Sequence, residues 1–395
     1  MRAIGMISGT SFDAVDVAAA DFTRDGDVLW LDPLGALETP YPDDVRAQIE
    51  AVLPPRQTGV GQVCQLAAAL GQVFAAAAAR GLAELAGGRA DLISSHGQTV
   101  FHWVAGGRAL GTLQLGEPAW IAERTGVPVL SDLRSRDIAR GGQGAPLAPI
   151  LDALLLAPES TPRAALNLGG IANVTVVRPD GSLLGYDIGP ANALIDAASA
   201  ACTGAPYDVD GRLARSGQVH ADLLDALLAE PYYAAPPPKS TGKELFHAEY
   251  LRRHVDRLPA PPSGADVAAT ATELTARIVA AEADRHGLAE LVISGGGLRN
   301  PALMERIAGL GDGRWRVRPI DELGLPAAAK EAYLFALIGY LSWHGLPASL
   351  PEVTGASAPA LLGAFTPGSA PLRLPEPAAD PPRRLRIGRP SGEVG

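Results

Sequence analysis

The residues best suited to acid–base chemistry lie mid-chain, where Gly185-Tyr186-Asp187-Ile188-Gly189-Pro190-Ala191-Asn192 follows the apolar pair Leu183-Leu184. Residues 183–186 have the apolar bias of a buried strand, Gly189-Pro190 breaks it, and Pro with Asn close behind is a common helix start. Asp187 is therefore expected at the carboxyl end of a strand, facing the crevice where open α/β sheets hold ligands beside helix N-termini. A carboxylate there can take a proton from water. Taken alone, the stretch reads first as a turn aspartate satisfying local backbone N–H groups. Three further stretches change that balance.

The first is Ser8-Gly9-Thr10-Ser11-Phe12-Asp13, between apolar residues 3–7 and 14–20. It reads as a hairpin whose tip offers N–H groups and hydroxyls to an anion, or as an ordinary Gly/Ser turn. The second, Asn167-Leu168-Gly169-Gly170-Ile171-Ala172-Asn173, repeats strand, small turn, strand some 160 residues later, weak evidence for two similar domains. The third, Ser294-Gly295-Gly296-Gly297-Leu298-Arg299-Asn300, joins the strand 289–293 to a helix opened by Pro301. Three consecutive glycines let backbone lie against a flat ligand or phosphate, and a plain tight turn needs fewer.

The elements that must position these groups alternate between strands and helices, the pattern of a sheet covered by helices. Helices are expected over 43–53 and 62–85, and a short strand over 91–94 delivers Ser95-His96-Gly97-Gln98-Thr99 at its end. A strand at 112–115, a helix at 117–125 and a strand at 127–130 lead to Ser131-Asp132-Leu133-Arg134. Residues 140–146 are too glycine-rich for an element and read as a loop in close approach to something. A long helix at 266–285, a strand at 315–320 and a helix at 329–343 with Lys330-Glu331 in its first turn follow. From Thr366 the chain is Pro-rich and basic, and a mobile tail is expected.

Composition narrows the function classes. The 395 residues are 47% hydrophobic and 19% charged, right for a globular chain of two domains. A net charge of -10 argues against nucleic acid or anionic membrane as partner. Cys64 and Cys202 form no CxxC pair and are expected as buried free thiols in a reducing compartment. The N-terminus lacks a signal-peptide run, and no window is expected to reach the roughly 18 apolar residues of a membrane span, which reads as cytoplasmic. The Walker phosphate loop is absent, Lys239-Ser240-Thr241-Gly242-Lys243 sharing only its letters, and there is no Gly-x-Gly-x-x-Gly. Gly9-Thr10-Ser11-Phe12-Asp13 misses the Gly-x-Ser-x-Gly nucleophile elbow at Asp13. His96 and His102 have no partners at metal-ligand spacing.

Read together in this order, the motifs closely resemble the anhydro-N-acetylmuramic acid kinase family, a branch of the sugar-kinase, heat-shock ATPase and actin superfamily. The resemblance runs over residues 4–367. Besides the stretches above it is carried by Gly142-Gln143-Gly144-Ala145-Pro146-Leu147, Pro238-Lys239-Ser240-Thr241-Gly242-Lys243-Glu244, Lys330-Glu331-Ala332 and Thr354-Gly355-Ala356. Two positions depart from it: Ala14 stands where Gly is usual, and Leu133 where Phe is usual.

The resemblance implies an α/β fold of two actin-like (ribonuclease H-like) domains with the active site in the cleft between them. Expected bounds are 1–135 and 136–365, a segment near 329–365 returning to the first domain and 366–395 forming the tail. It implies an ATP- and Mg²⁺-dependent kinase of peptidoglycan recycling that opens the 1,6-anhydro ring with water and phosphorylates O6. Asp187 would be the base, kept ionised by a helix start and any Arg on the facing strand. Thr99, Arg134 and Glu331 would hold the sugar, with His96 and Gln98 close by. The ATP site would comprise Gly9, Thr10, Ser11, Phe12, Asp13, Ala14, Val15 and Asp16, with Asn167, Gly169, Gly170 and Asn173, and Gly295, Gly296 and Gly297 on the adenine side. Asp13 or Asp16 could reach Mg²⁺ through water, and a homodimer is usual. The competing readings are a kinase for another anhydrosugar such as levoglucosan, a sugar-independent ATPase of this fold, and an inactive binding protein, which retention of Asp187, Arg134 and Glu331 disfavours.

Overall fold

The computed structural model describes residues 1–9, 12–237, 239–242 and 244–390. Thr10, Ser11, Pro238 and Lys243, named among the motifs above, lie outside the described residues. The chain forms two compact units, Met1–Leu155 with Gly324–Gly395, and Leu156–Leu323. The units divide at 155/156 and 323/324, where the sequence reading drew its line at 135/136.

The first unit is built on β1 (Arg2–Ser8), β2 (Ala14–Asp25), β3 (Val28–Pro40), β4 (Leu92–Ala105), β5 (Arg108–Leu115) and β6 (Val129–Ser131). In its sheet β3, β2, β1, β4 and β6 are neighbours in that order, β2 runs antiparallel to β1 and β3, and β1, β4 and β6 are parallel. The second unit repeats this plan with β7 (Arg163–Leu168), β8 (Ile171–Val177), β9 (Leu183–Pro190), β10 (Glu290–Ser294) and β11 (Arg316–Pro319). Its order is β9, β8, β7, β10, β11, with β8 antiparallel and β7, β10 and β11 parallel. Each unit thus has the strand order 3-2-1-4-5 with the second strand reversed, the actin-like arrangement.

Both sheets are covered by helices, and in the first unit one approaches unusually closely. In the first unit a Cβ on Gly5 of β1 would lie 1.9 Å from the Ala332 carbonyl oxygen and 2.4 Å from the Ala336 nitrogen. Only glycine lets the helix Lys330–Trp343 rest on β1 at that depth, and this fixes where its first turn, with Glu331, stands. On the same unit the helix Val60–Glu84 packs Leu66, Leu70 and Phe74 against Ile4, Met6, Val15 and Val17. By length and hydropathy this helix reaches the range of a membrane span, which the sequence reading excluded. Its apolar stripe is spent on the core of the unit. In the second unit the helix Gly264–His286 lies on β9, its start fixed by Ser263 and Asp266 in a capping box.

Several expectations are corrected. The strand expected at 91–94 runs to Ala105, carrying Ser95, His96, Gln98 and Thr99 within it, and the strand expected to end at Asp187 continues to Pro190. Cys64 and Cys202 are free but exposed. The tail is not loose: Arg384–Ile387 pairs in parallel with β3, and Ala364–Thr366 pairs with β6. The reason is alternation inside the basic run. Leu385 and Ile387 face inward, Leu385 being 3% exposed, while the Arg386 guanidinium stacks 5.5 Å from the Trp30 ring. Ending the chain after Pro382 would bare the edge of β3, and we expect a loss of about 2 kcal/mol with new concentration-dependent association. Chemical denaturation and sedimentation at two protein concentrations would measure both.

Candidate active site

In the second unit, one level of the sheet is polar straight across. Register pairs Ser294 of β10 with Asn167 of β7, Asn167 with Asn173 of β8, and Asn173 with Asp187 of β9. Register partners share a face, so the glycine hairpin of residues 168–171 stands beside the carboxylate picked out by the sequence. A register shift between Ala172 and Asn173 aligns them, a common use of bulges near active sites.

Asp187 is half-buried. Its Oδ2 accepts the Ser240 hydroxyl at 2.8 Å and the Thr241 N–H at 3.1 Å. Burial raises its pKa above the usual carboxylate value, these two hydrogen bonds oppose the rise, and Glu244 adds to it. The expected arginine is not what tunes this group. Behind it Gly189 has φ 148°, and a Cβ there would lie 2.8 Å from the Tyr233 ring, so the backbone after this carboxylate is committed to glycine.

The hairpin is clamped by the helix Asn192–Thr203. The Asn192 side-chain amide donates to the carbonyls of Leu168 (3.0 Å) and Gly169 (2.8 Å), and the Ala191 and Ala193 N–H groups donate to Gly170. The triple glycine now separates by role. A Cβ on Gly295 would lie 2.5 Å from Asn167 Oδ1, and one on Gly297 2.5 Å from Leu168 Cβ, so both are demanded by packing. Gly296 is exposed and free to face a ligand. It borders a cavity of about 400 Å³ with Asn192, Asp196, Tyr207, Asp210 and Arg299. Sequence reasoning named Asn192 and Arg299 within motifs but gave them no role, and it missed Tyr207 and Asp210. The available signal was the acidic turn Asp208-Val209-Asp210-Gly211, whose strain shows only in the fold, where Asp210 adopts φ 57°.

In the first unit the residues expected to hold the sugar surround one largely buried cation, Arg134. Arg134 Nε donates to His96 Nε2 at 2.8 Å and Nη1 to the Gly144 carbonyl at 2.7 Å. His96 Nδ1 lies 3.0 Å from the Gly97 carbonyl, so it carries the hydrogen and leaves Nε2 as acceptor. Burial, then the Arg134 charge, pushes His96 down to about 3. Burial lowers Arg134 to about 10 against the opposing pull of Glu331. Glu331, solvent-reached yet deep among protein atoms, is raised by desolvation, with Lys330 and Arg134 opposing. Lys330 itself is paired with buried Asp152 at 2.6 Å.

With both nitrogens engaged, His96 holds the arginine. Gln98, 1% exposed, ties the strands together: its Oε1 accepts the Ser8 hydroxyl at 2.5 Å and its Nε2 donates to the Thr99 carbonyl at 3.1 Å. Thr99, half-buried, accepts from Gln114 at 3.2 Å. The glycine-rich loop of 140–146 answers to Asp137, whose carboxylate accepts the Gly144 N–H and the Thr354 hydroxyl, each at 2.8 Å. A Cβ on Gly142 would lie 2.2 Å from that carboxylate. The motifs around Gly142 and Thr354 therefore brace the carbonyl that holds Arg134. Leu133, one of the two departures, is a core residue, 1% exposed.

At the first hairpin, Asp13 is exposed and paired with Arg46 at 3.2 Å. Asp16 pairs in register with Glu38 and is pushed up to about 6, first by burial, then by the charges of Glu38 and Glu331. Among the described residues no group of three His, Cys, Asp or Glu is arranged to enclose a metal ion. One crowded carboxylate fits an ion held mainly by phosphate oxygens and water, which favours Asp16 over Asp13.

Asp16 also predicts a pH effect. A carboxyl group whose folded pKa is raised keeps its proton longer folded than unfolded, so its contribution is intact below about pH 4 and lost as pH rises through 6. Asp16→Asn should stabilise the protein by about 1–2 kcal/mol at pH 8, after allowing for solvent screening, and by nothing at pH 3. Urea denaturation at the two pH values measures the difference.

Comparison with known proteins agrees with the motifs. Residues 1–368 match the family described as anhydro-N-acetylmuramic acid kinase. Proteins of that name from Streptomyces coelicolor, Rhodococcus erythropolis and Chromobacterium violaceum are 53%, 51% and 41% identical, spanning 98%, 98% and 92% of this chain and 99%, 99% and 98% of their own lengths. Among solved structures, a ROK family glucokinase from Streptomyces griseus in complex with glucose and AMPPNP aligns over 86% of this chain and 99% of its own, at 14% identity and a TM-score of 0.33. That likeness is too slight to bear on the assignment. The match over most of the length of both this chain and its relatives is decisive: the chain belongs to the anhydro-N-acetylmuramic acid kinase family.

Proposed function

We propose that the protein uses ATP and water to convert 1,6-anhydro-N-acetylmuramic acid into N-acetylmuramic acid 6-phosphate. The observation that carries this reading is the placement of Asp187, a half-buried carboxylate of raised pKa in line with the glycine hairpin of its sheet. A carboxylate whose pKa is raised by burial accepts a proton more readily than an ordinary aspartate, and the two hydrogen bonds to its Oδ2 favour the ionised form. It takes a proton from water as the water oxygen bonds to C1. The C1–O6 bond breaks, its electron pair goes to O6, and O6 attacks the γ-phosphorus of ATP as ADP departs. The sum is anhydrosugar, water and ATP giving sugar 6-phosphate, ADP and one proton, which Asp187 returns to solvent.

Arg134 and Glu331 act on the sugar as a fixed donor and acceptor, with Thr99 beside them, while His96 and Gln98 keep that set rigid. The hairpins at 9–16 and 167–173 receive the phosphates, and the cavity beside Gly296 receives the nucleoside. A bound Mg²⁺ would supply positive charge to the phosphates, and Asp16 is the residue that would hold it, through water. The reading requires water other than the reacting molecule to be excluded. It sets the enzyme in the cytoplasm, in cell-wall recycling, as a homodimer.

Asp187→Asn keeps the size of the side chain and removes its basicity. It should lower kcat by at least about a thousandfold, at the upper part of the range for a lost general base, with ring opening and phosphorylation falling together. Chromatographic detection of both the opened sugar and its 6-phosphate would check this. Sugar phosphate formed at near wild-type rate would refute the role of Asp187.

A further inference from the structure

The segment Lys239-Ser240-Thr241-Gly242 supplies both donors to Asp187 Oδ2. Its letters suggest a phosphate loop, yet its contacts converge on Asp187. The Asp187 main-chain N–H donates to the Lys239 carbonyl at 3.4 Å. The Ser240 hydroxyl and Thr241 N–H both donate to Oδ2, at 2.8 and 3.1 Å. On the other side of the same residue, the Tyr232 hydroxyl donates to the Asp187 carbonyl at 2.6 Å.

Lys239 gives the segment its shape. Its ammonium donates to the carbonyls of Tyr232 and Tyr233, both at 3.2 Å, and lies 4.8 Å from the centre of the Tyr232 ring and 5.7 Å from that of Tyr186. This one cation therefore joins the segment to the aromatic turn Pro231–Ala234.

We propose that residues 239–242 form a strap that positions the catalytic base, with Ser240 and Thr241 occupying Oδ2 of Asp187 so that Oδ1 alone is presented to the attacking water. The proposal rests on Asp187 being the base. A carboxylate free to rotate offers either oxygen and loses orientation with each turn. Two donors on one oxygen remove that freedom, and as bonds to the charged form they hold the group ionised against its burial. The other groups facing Asp187 act in the same neighbourhood: Glu244 opposes ionisation, while Tyr232 and Lys239 approach from the turn and the strap. Ser240 is thus a positioning residue, acting through Asp187.

The test is the pH profile of kcat/KM for the anhydrosugar in wild type, Ser240→Ala and Ser240→Thr, with full-length protein. The active form is the deprotonated base, so activity rises with pH through the Asp187 pKa. Removing the Ser240 hydroxyl should move that acidic limb upward by about one unit and lower kcat about tenfold on the plateau, with KM for ATP unchanged. Ser240→Thr, which keeps the hydroxyl, should bring the limb back. A limb that stays at its wild-type position in Ser240→Ala, or a fall in kcat that Ser240→Thr fails to rescue although both variants melt at the wild-type temperature, would overturn the strap. Neither result touches the role of Asp187, which the Asp187→Asn variant tests separately.

Discussion

A guanidinium taken out of water must be met by acceptors, and the first unit is arranged around doing this for Arg134. Two of its donors are spent on groups that carry no charge, the His96 imidazole and the Gly144 carbonyl. Neutral acceptors keep the cation from being cancelled, so its field stays available to a substrate and to Glu331. Each acceptor then needs its own support. His96 sits where β4 takes one extra residue relative to β1, between the register pairs Met6 with Ser95 and Ser8 with Gln98. Gly97, at φ 74°, makes that bulge, since a Cβ would lie 2.6 Å from the Leu115 carbonyl oxygen. Gly144 is held by Asp137, and Asp137 by Thr354, 217 residues further along. Glu331 arrives on a helix that can lie close to the sheet only because β1 carries Gly5.

The second unit solves a different problem with the same sheet. Here Asp187 is only half-buried, and two hydrogen bonds to its Oδ2 oppose the rise in pKa that its burial causes. The polar row from Ser294 to Asp187 is the counterpart of the row where Ile7 faces Asp16 and Asp16 faces Glu38 in the first unit. Both rows lie beside the first hairpin of their unit, and both hold an acid of raised pKa. Raised acids cost folding free energy at neutral pH, and each lies in the row beside its unit's first hairpin, Asp16 on the second strand and Asp187 on the third, where a chemical role outweighs that cost.

Much of this was legible in the sequence, for reasons that can be named. Asp187, the two hairpins and the triple glycine were found because turn chemistry is local, and the fold class because strands and helices alternate. What escaped depends on long-range contacts. The resemblance sets Gln98 close to the sugar, but its amide is consumed by Ser8 and the chain beside it. Two of the three glycines at 295–297 serve packing against residues 167 and 168, which spacing alone does not reveal. The basic tail reads as loose because charge and proline dominate it, whereas a four-residue alternation is enough to add a strand at an open sheet edge. The strap over Asp187 lies some 50 residues from its target and resembles something else.

The central claim is that one sugar, one water and ATP meet on these groups, and it is tested most directly by ADP release. Purified protein with ATP and Mg²⁺ would be given 1,6-anhydro-N-acetylmuramic acid, levoglucosan, N-acetylmuramic acid or no sugar. The account predicts ADP with the first alone, matched one to one by N-acetylmuramic acid 6-phosphate. ADP released equally without sugar would contradict it and point to an ATPase, and release with levoglucosan in place of the muramic sugar would contradict the assigned substrate.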